Sequence, residues 1–174
     1  FGNNDYFVNW ENDGLEMKYF TSTLPQGTWV RLKSRDFYCL PNITYSGLTS
    51  GEFACRLSDS VFLFDTKGSC IFTEKENDLL TLAALLNSKV SQYILKILCP
   101  TLDFSMVGVK KLPALVLPDV VSDATKQKAL AKSDWDAYER SWDFARLPIL
   151  AFPHQQTTLA ASYTTTRAHW QNMT

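Results

Sequence analysis

The sequence predicts an α+β fold: a mainly antiparallel sheet with polar loops, one long supporting helix, and shorter C-terminal helices. Three observations lead there. Between Tyr6 and Phe72, short β-branched and aromatic runs are broken by Gly, Pro, Asn and Ser. No long helical pattern separates these runs, so the strands must pair mostly as neighbours in antiparallel fashion. Beyond them, one stretch keeps a helical spacing of apolar residues for several turns.

Taken in order, the predicted strands are Thr28–Leu32, Phe37–Leu40, Phe53–Leu57, Val61–Phe64 and Cys70–Phe72. The helix follows at Asp78–Leu98, where Leu79, Leu82, Ala83, Leu86, Val90, Tyr93, Ile94 and Ile97 recur on one stripe. Asn77 or Asp78 is suited to cap its start, and Pro100 stops it. Lys110–Leu117 reads as one more strand, which its prolines confine to a sheet edge. Ser122–Lys132 and Asp134–Trp142 read as two helices, the second opened by Ser133 with Asp136 in a capping-box arrangement. The Thr-rich end from Phe152 to Thr174 is weakly patterned and leads into a helical region. The expected division is a domain at 1–150 and a C-terminal segment at 151–174.

With 174 residues, 45% of them hydrophobic, the chain can bury one core. Its net charge of -1 is not that of a domain that grips nucleic acid through overall basicity, so any such contact must rest on local patches or on covalent neighbours. Cys39, Cys55, Cys70 and Cys99 form no paired motif with one another or with His, so neither zinc nor a disulfide framework is indicated. Reduced thiols in a bacterial cytoplasmic protein are the expectation. Asn42-Ile43-Thr44 and Asn172-Met173-Thr174 match the glycosylation pattern, with no other sign of secretion. The first residues have neither the basic nor the apolar region of a leader, and no apolar run would span a bilayer. A first residue other than Met, followed at once by Tyr6-Phe7-Val8, suggests a piece of a longer polypeptide.

Several groups of residues invite a functional reading. The hydroxyl-rich stretch from Ile43-Thr44-Tyr45-Ser46 to Ser50-Gly51 reads as a loop suited to phosphates and base edges, although ordinary turn chemistry produces the same composition. Arg31, Lys33 and Arg35 alternate and would share one face of a strand as a positive stripe. Asp65-Thr66-Lys67, with Glu52 upstream, fits the carboxylate-x-lysine pattern of metal-dependent nucleases. The alternative is a turn in which Asp65 caps backbone amides and Gly68 takes positive φ. Asn87-Ser88-Lys89 reads as a solvated strip on the long helix. His154 and His169 stand apart from any nucleophile context, so no catalytic constellation emerges. There is no glycine-rich cofactor loop and no Asn-Pro-Pro-aromatic motif.

As an ordered set, several strings resemble a known family: Val8-Asn9-Trp10-Glu11-Asn12-Asp13-Gly14, Asp36-Phe37-Tyr38, Ile43-Thr44-Tyr45-Ser46, Ser50-Gly51-Glu52-Phe53, and Phe64-Asp65-Thr66-Lys67-Gly68-Ser69-Cys70-Ile71-Phe72. Leu85-Leu86-Asn87-Ser88-Lys89-Val90, Pro100-Thr101-Leu102-Asp103-Phe104, Lys111-Leu112-Pro113 and Ser141-Trp142-Asp143-Phe144 follow. The order resembles the C-terminal half of PglX-like BREX adenine-specific DNA methyltransferases. The helix with Leu-Leu-Asn-Ser-Lys, followed by Lys-Leu-Pro, is similar to target-recognition domains of TaqI-like methyltransferases and of type I specificity subunits.

The resemblance covers residues 1–150. It implies a non-catalytic DNA target-recognition domain facing an upstream methyltransferase domain across double-stranded DNA, with S-adenosylmethionine and the flipped adenine held upstream. Other phage-defence subunits are further implied partners. On this reading Lys33, Arg35 and Lys110 contact phosphates, while Tyr45, Ser46, Ser50 and Arg56 lie near the reading edge, with Arg31 and Thr44 beside them. The sequence departs from the family at Thr28–Lys33, where a Pro/Asn-rich loop is expected, and in carrying Lys67, so base preference does not transfer. Two competing readings are a protein-interaction platform and a metal-dependent nuclease using Glu52 and Asp65.

Overall fold

A computed structural model of the protein describes residues 6–26, 32–65, 67–115, 117–151 and 153–173. Its centre is a three-stranded antiparallel sheet in the order β2-β1-β3, with β1 at Asn42–Ser46, β2 at Cys55–Ser58 and β3 at Gly68–Ile71. The expected α+β class therefore holds, although the sheet is smaller than the sequence suggests. In β1 the alternation of side chains sends Ile43 and Tyr45 to one face and Asn42, Thr44 and Ser46 to the other. Ile43 stands between Leu57 and Ile71, and Tyr45 between Cys55 and Ser69. Ile43 and Tyr45, with Phe53, Leu79, Leu86, Leu95 and Phe104, build the core, against which Cys55, Leu57 and Ile71 pack.

The run Ile43–Ser46, expected as a loop, is thus the central strand. Its hydroxyls obscured the period-two pattern. Phe37–Leu40 is no strand either. A 3-10 turn at Arg35–Phe37 runs into Cys39, whose φ of 58° lies in the left-handed region. Val61–Phe64 also stays outside the sheet. The aromatic residues of both runs pack on one another instead: Phe37 on Phe72 at 4.9 Å, Tyr38 on Phe64 at 5.1 Å, and Phe64 on Phe72 at 5.6 Å between ring centroids. Of the predicted strand Thr28–Leu32, residues 28–31 lie outside the described residues.

The N-terminal part carries a helix that strand-like composition concealed, α1 at Glu11–Thr23. It opens with Asn12, Asp13 and Gly14 all at positive φ, a left-handed turn closed by a 3.2 Å bond from the Gly14 amide to the Trp10 carbonyl. A Cβ on Gly14 would meet the Trp10 ring at 2.7 Å, so Gly at that position suits both the backbone and the close ring.

The long supporting helix divides into two, α2 at Glu76–Leu86 and α3 at Lys89–Leu98. Lys75, rather than Asn77 or Asp78, precedes the first turn, whose Glu76 and Asp78 favour the helix N-terminus. The break comes at Asn87 and Ser88: Ser88 takes an extended conformation with ψ of 154°, and its hydroxyl accepts the Ser91 amide at 3.2 Å, capping α3. The apolar spacing runs on through the break in the sequence, but the break turns α3 so that Val90, Tyr93 and Ile97 of the expected stripe are exposed and Leu95 is buried instead. A short helix, α4 at Met106–Val109, follows, and no strand occupies the described part of Lys110–Leu117. Gly108 lets α4 approach α3's end, since a Cβ there would sit 2.2 Å from Cys99 Sγ.

One continuous helix, α5 at Val121–Asp136, replaces the predicted pair. Ser133 lies inside it and caps nothing; beyond Asp136 the chain runs through successive turns to Ser141. The weakly patterned end holds α6, Leu159–Met173. No helix among the described residues is long and apolar enough to cross a membrane.

Candidate nucleic-acid interface

Antiparallel register sorts the expected contact residues. On the sheet face away from the core, Arg56, Thr44 and Cys70 form one cross-strand row, and Ser46 stands beside Gly68 at the end of β1. Thr44 and Arg56 are half-buried, whereas Ser46 is exposed. Tyr45 belongs to the opposite face. It is 3% exposed, stacks against Phe53 with centroids 5.2 Å apart, and its hydroxyl is pushed up from the usual phenol range by burial. The expectation that Tyr45 touches DNA is therefore corrected: its ring supports the sheet from within.

The segment after β1 is held by main-chain bonds. The Phe104 amide donates to the Gly47 carbonyl at 2.7 Å, Thr49 to Leu102 at 3.1 Å, and Leu48 bridges Asp103. Because Pro100–Phe104 supplies these partners, the loop keeps its shape while Ser46, Leu48 and Ser50 remain exposed. On its other side, Gly47 N–H donates to the Lys67 carbonyl at 3.4 Å, which brings the exposed Lys67 to the same end of the sheet as Ser46. Ser50 also borders a shallow hollow of about 340 Å³ floored by Phe53 and Phe104 and rimmed by Glu52, Gln92, Lys96 and Thr101. Gln92 donates its side-chain amide to the Phe53 carbonyl, bracing that rim.

The cations do not assemble as one stripe. Arg31 lies outside the described residues. Lys33 and Arg35 are exposed, but Ser34 between them has φ of 55° and no strand carries them. Lys110 is exposed at the C-terminal end of α4, beside Lys111. What the described fold brings together at the Ser46 end of β1 is hydroxyls with Lys67 and with the carboxylates of Asp65 and Asp103; the remaining cations sit on separate elements.

The nuclease-like triplet resolves into turn chemistry. Asp65 Oδ1 accepts the Lys67 amide at 2.8 Å and the Gly68 amide at 3.0 Å. Gly68 begins β3 and is not at positive φ, contrary to expectation. Glu52 pairs with Lys96 at 2.7 Å, and that ammonium holds its carboxyl below the ordinary range. Among the described residues, no group of three His, Cys, Asp or Glu stands where it could hold a metal ion.

Asn87, expected on a solvated strip, has a structural task that sequence spacing did not reveal. Its Oδ1 accepts the Cys55 amide at 3.0 Å and its Nδ2 donates to the Cys55 carbonyl at 3.0 Å, so the side chain pairs with β2 as another strand would. Nδ2 also reaches the Ala83 carbonyl at 3.0 Å. Burial around this clasp pushes the Cys55 thiol up to about 12. Lys67, which by sequence belongs only to the nuclease-like triplet, is the other residue whose place the sequence hid.

The described residues do not supply a cradle that fits S-adenosylmethionine. β3 reaches α2 through Phe72–Lys75 without glycine, and the glycines of the sheet region stand singly, Gly47 and Gly51 in loops and Gly68 at the start of β3. No family model matches the sequence. Over 94% of its length the chain is similar to two curated proteins: it is 30% identical to the adenine-specific methyltransferase BrxX of Escherichia coli O9:H4 (strain HS) and 33% identical to the adenine-specific methyltransferase PglX of Lacticaseibacillus casei (strain Zhang). It spans only 13% and 14% of their lengths, so it corresponds to one segment of much longer polypeptides.

Proposed function

We propose that the chain is the DNA target-recognition segment of a longer N6-adenine DNA methyltransferase acting in bacterial phage defence of the BREX type. The observation that carries this reading is the similarity of nearly the whole chain to one segment of two adenine-specific methyltransferases. In this proposal the S-adenosylmethionine site and the adenine pocket belong to the upstream methyltransferase domain, in the bacterial cytoplasm, and this segment chooses where on duplex DNA that domain acts.

The loop following β1 supports the reading chemically. A recognition loop must hold short donors and acceptors still, because ordering them on contact would cost free energy. Main-chain bonds to Leu102 and Phe104 already hold Gly47–Thr49, with Ser46 and Ser50 exposed on either side. Hydroxyls of this kind can meet base edges or phosphates, and Lys67, Lys110, Lys33 and Arg35 are exposed for phosphates. Thr44 and Arg56 act through the sheet's outer face, and Tyr45 holds that sheet from below. With a net charge of -1, the segment contributes selectivity more than affinity.

The test exchanges residues 47–51 in the full methyltransferase polypeptide for those of a relative and maps methylated adenines across a genome. Residues 42–46 stay unchanged because they form the central strand. A changed target sequence is the expected result; an unchanged target methylated at the original rate overturns the assignment. Removing the Lys67 or Lys110 ammonium should instead weaken binding to all sequences alike and lower the salt slope by about 0.9 per lost phosphate contact.

A further inference from the structure

We propose that the hollow at the Asn42 end of the sheet is a docking site for a protein segment in which an aromatic or branched aliphatic side chain is followed by Lys or Arg. The hollow measures about 650 Å³. Its floor is apolar, with Phe37, Leu40, Leu57, Phe72, Leu79 and Leu80 facing it, and Phe37 and Leu40 remain 45% and 43% exposed. A cleft of this size takes one large apolar side chain and the stem of its neighbour.

Its rim is acidic. Asp59, Glu74 and Glu76 stand around the floor against one ammonium, Lys128, which lies 4.0 Å from Asp59. Glu74 and Glu76 have no ion pair among the described residues. The N-terminus of α2 accounts for an acid at Glu76 in its first turn; Glu74, before the helix, has no such reason to be there. An apolar floor beneath two carboxylates that hold no ion pair among the described residues complements a side chain pair of the stated kind: the apolar group leaves water and the adjacent cation meets the rim.

The position of the hollow separates it from the DNA reading. Antiparallel register puts Asn42 and Ser58 at this end of β1 and Ser46 and Gly68 at the other, about 13 Å away at the usual rise per residue. Phosphates would be repelled by Glu74 and Glu76, so duplex DNA is disfavoured at the Asn42 end. One molecule can hold both at once, DNA by the Ser46 end and a basic protein segment by the Asn42 end.

The experiment titrates the full isotopically labelled chain with the synthetic peptide Gly-Phe-Lys-Arg-Gly and follows amide resonances. Two control peptides replace Phe by Ser, or Lys-Arg by Glu-Glu. Shifts at Leu57, Phe72 and Leu80 with the first peptide and not with the controls are expected. Glu74→Gln with Glu76→Gln should weaken binding about fivefold or more. Leu40→Ser, at a partly exposed position of the floor, should weaken it too, with thermal unfolding recorded to show that the chain stays folded. Absence of shifts at millimolar peptide, equal response to the controls, or unchanged binding by the carboxamide variant overturns the proposal. Displacement of the peptide by a short duplex overturns it as well. Loss of the same shifts on diluting the chain alone would assign the hollow to a second copy and also overturn it. Ser50→Ala and Lys67→Ala should leave peptide binding intact, so failure of the DNA reading and failure of this one are read separately.

Discussion

Residues 42–109 and residues 121–173 are built on different principles. Among the described residues, the buried apolar side chains run from Ile43 to Val109, and Phe53, Ile43 and Leu95 are the largest that are wholly enclosed. The second region buries Ser141, Ser162 and Thr166, while Trp142, Leu159 and Tyr163 stay exposed. Its order comes from hydrogen bonds and ion pairs: Ser141 Oγ donates to Asp136 at 2.7 Å, Lys132 reaches both Asp136 and Asp143 at 2.6 Å, and Ser162 Oγ accepts the Gln156 amide at 2.8 Å. In α6, Thr164, Thr165 and Thr166 turn their hydroxyls back onto carbonyls one turn earlier. The difference teaches where stability resides, since burying apolar area is worth several kcal/mol per large side chain and exposed polar pairs much less.

The sharpest way to break that comparison is at the centre of the first region. Phe53→Ala removes a ring that is 2% exposed and packs on both Tyr45 and Phe104, and should cost about 3–5 kcal/mol in a denaturant titration. A loss below ~1 kcal/mol would show that this core is not where the chain is held.

Gly108→Ala comes next. Its methyl would collide with Cys99 Sγ, and a penalty of about 1–3 kcal/mol is expected. Adding Cys99→Ala should return part of it, because the clash is specific to that sulfur. A strictly additive pair of losses would point to another cause.

Asn87→Ala removes the clasp on β2 from a residue that is itself exposed. The expected cost is about 1–2 kcal/mol, with faster amide exchange at Cys55 than at Ile43. Asn87→Asp keeps the acceptor for the Cys55 amide and loses the donor, so it should recover only part of the loss.

The smallest effect belongs to the second region. Burial works against the charged Asp136 carboxylate, but the hydrogen bonds from Lys132 and Ser141 together outweigh it and hold its pKa below the ordinary 3.8. A depressed carboxylate contributes stability above its unfolded value and loses it as pH falls through the folded one. Amides of residues 136–144 should therefore exchange faster below pH 3.8, earlier than those of the sheet, and Lys132→Ala should abolish most of that local dependence. Simultaneous loss of protection in both regions across that range would show that they unfold as one unit.

Much of this architecture is legible from short-range pattern. Leu79 to Leu86 has helical spacing because the buried stripe requires it, whereas in α3 Val90, Tyr93 and Ile97 of the expected stripe are exposed and Leu95 is buried instead; both stretches are helical. Asp65 before Lys67-Gly68 announces a capped turn, and the turn is there. The aromatic runs Phe37–Leu40 and Val61–Phe64 read as strands for a sound local reason, yet their rings serve packing between irregular segments. Of the candidate contacts, Ser46 and Ser50 could be placed near one another by sequence proximity. Lys67 arrives beside them only through β3 pairing with β1.

What the sequence determined by itself was its apolar supply, the helical stretches, the capped turn at Asp65, and an order of short motifs that resembles a segment of longer methyltransferases. Each rests on residues within a few positions of one another, where propensity and hydrogen bonding act directly. The tertiary structure alone decided that Tyr45 faces inward, that Asn87 completes the edge of β2 across 32 positions, and that Asp59, Glu74 and Glu76 gather around the Asn42 end of the sheet. Those outcomes depend on strand register, and a shift of one residue would turn every side chain to the other face.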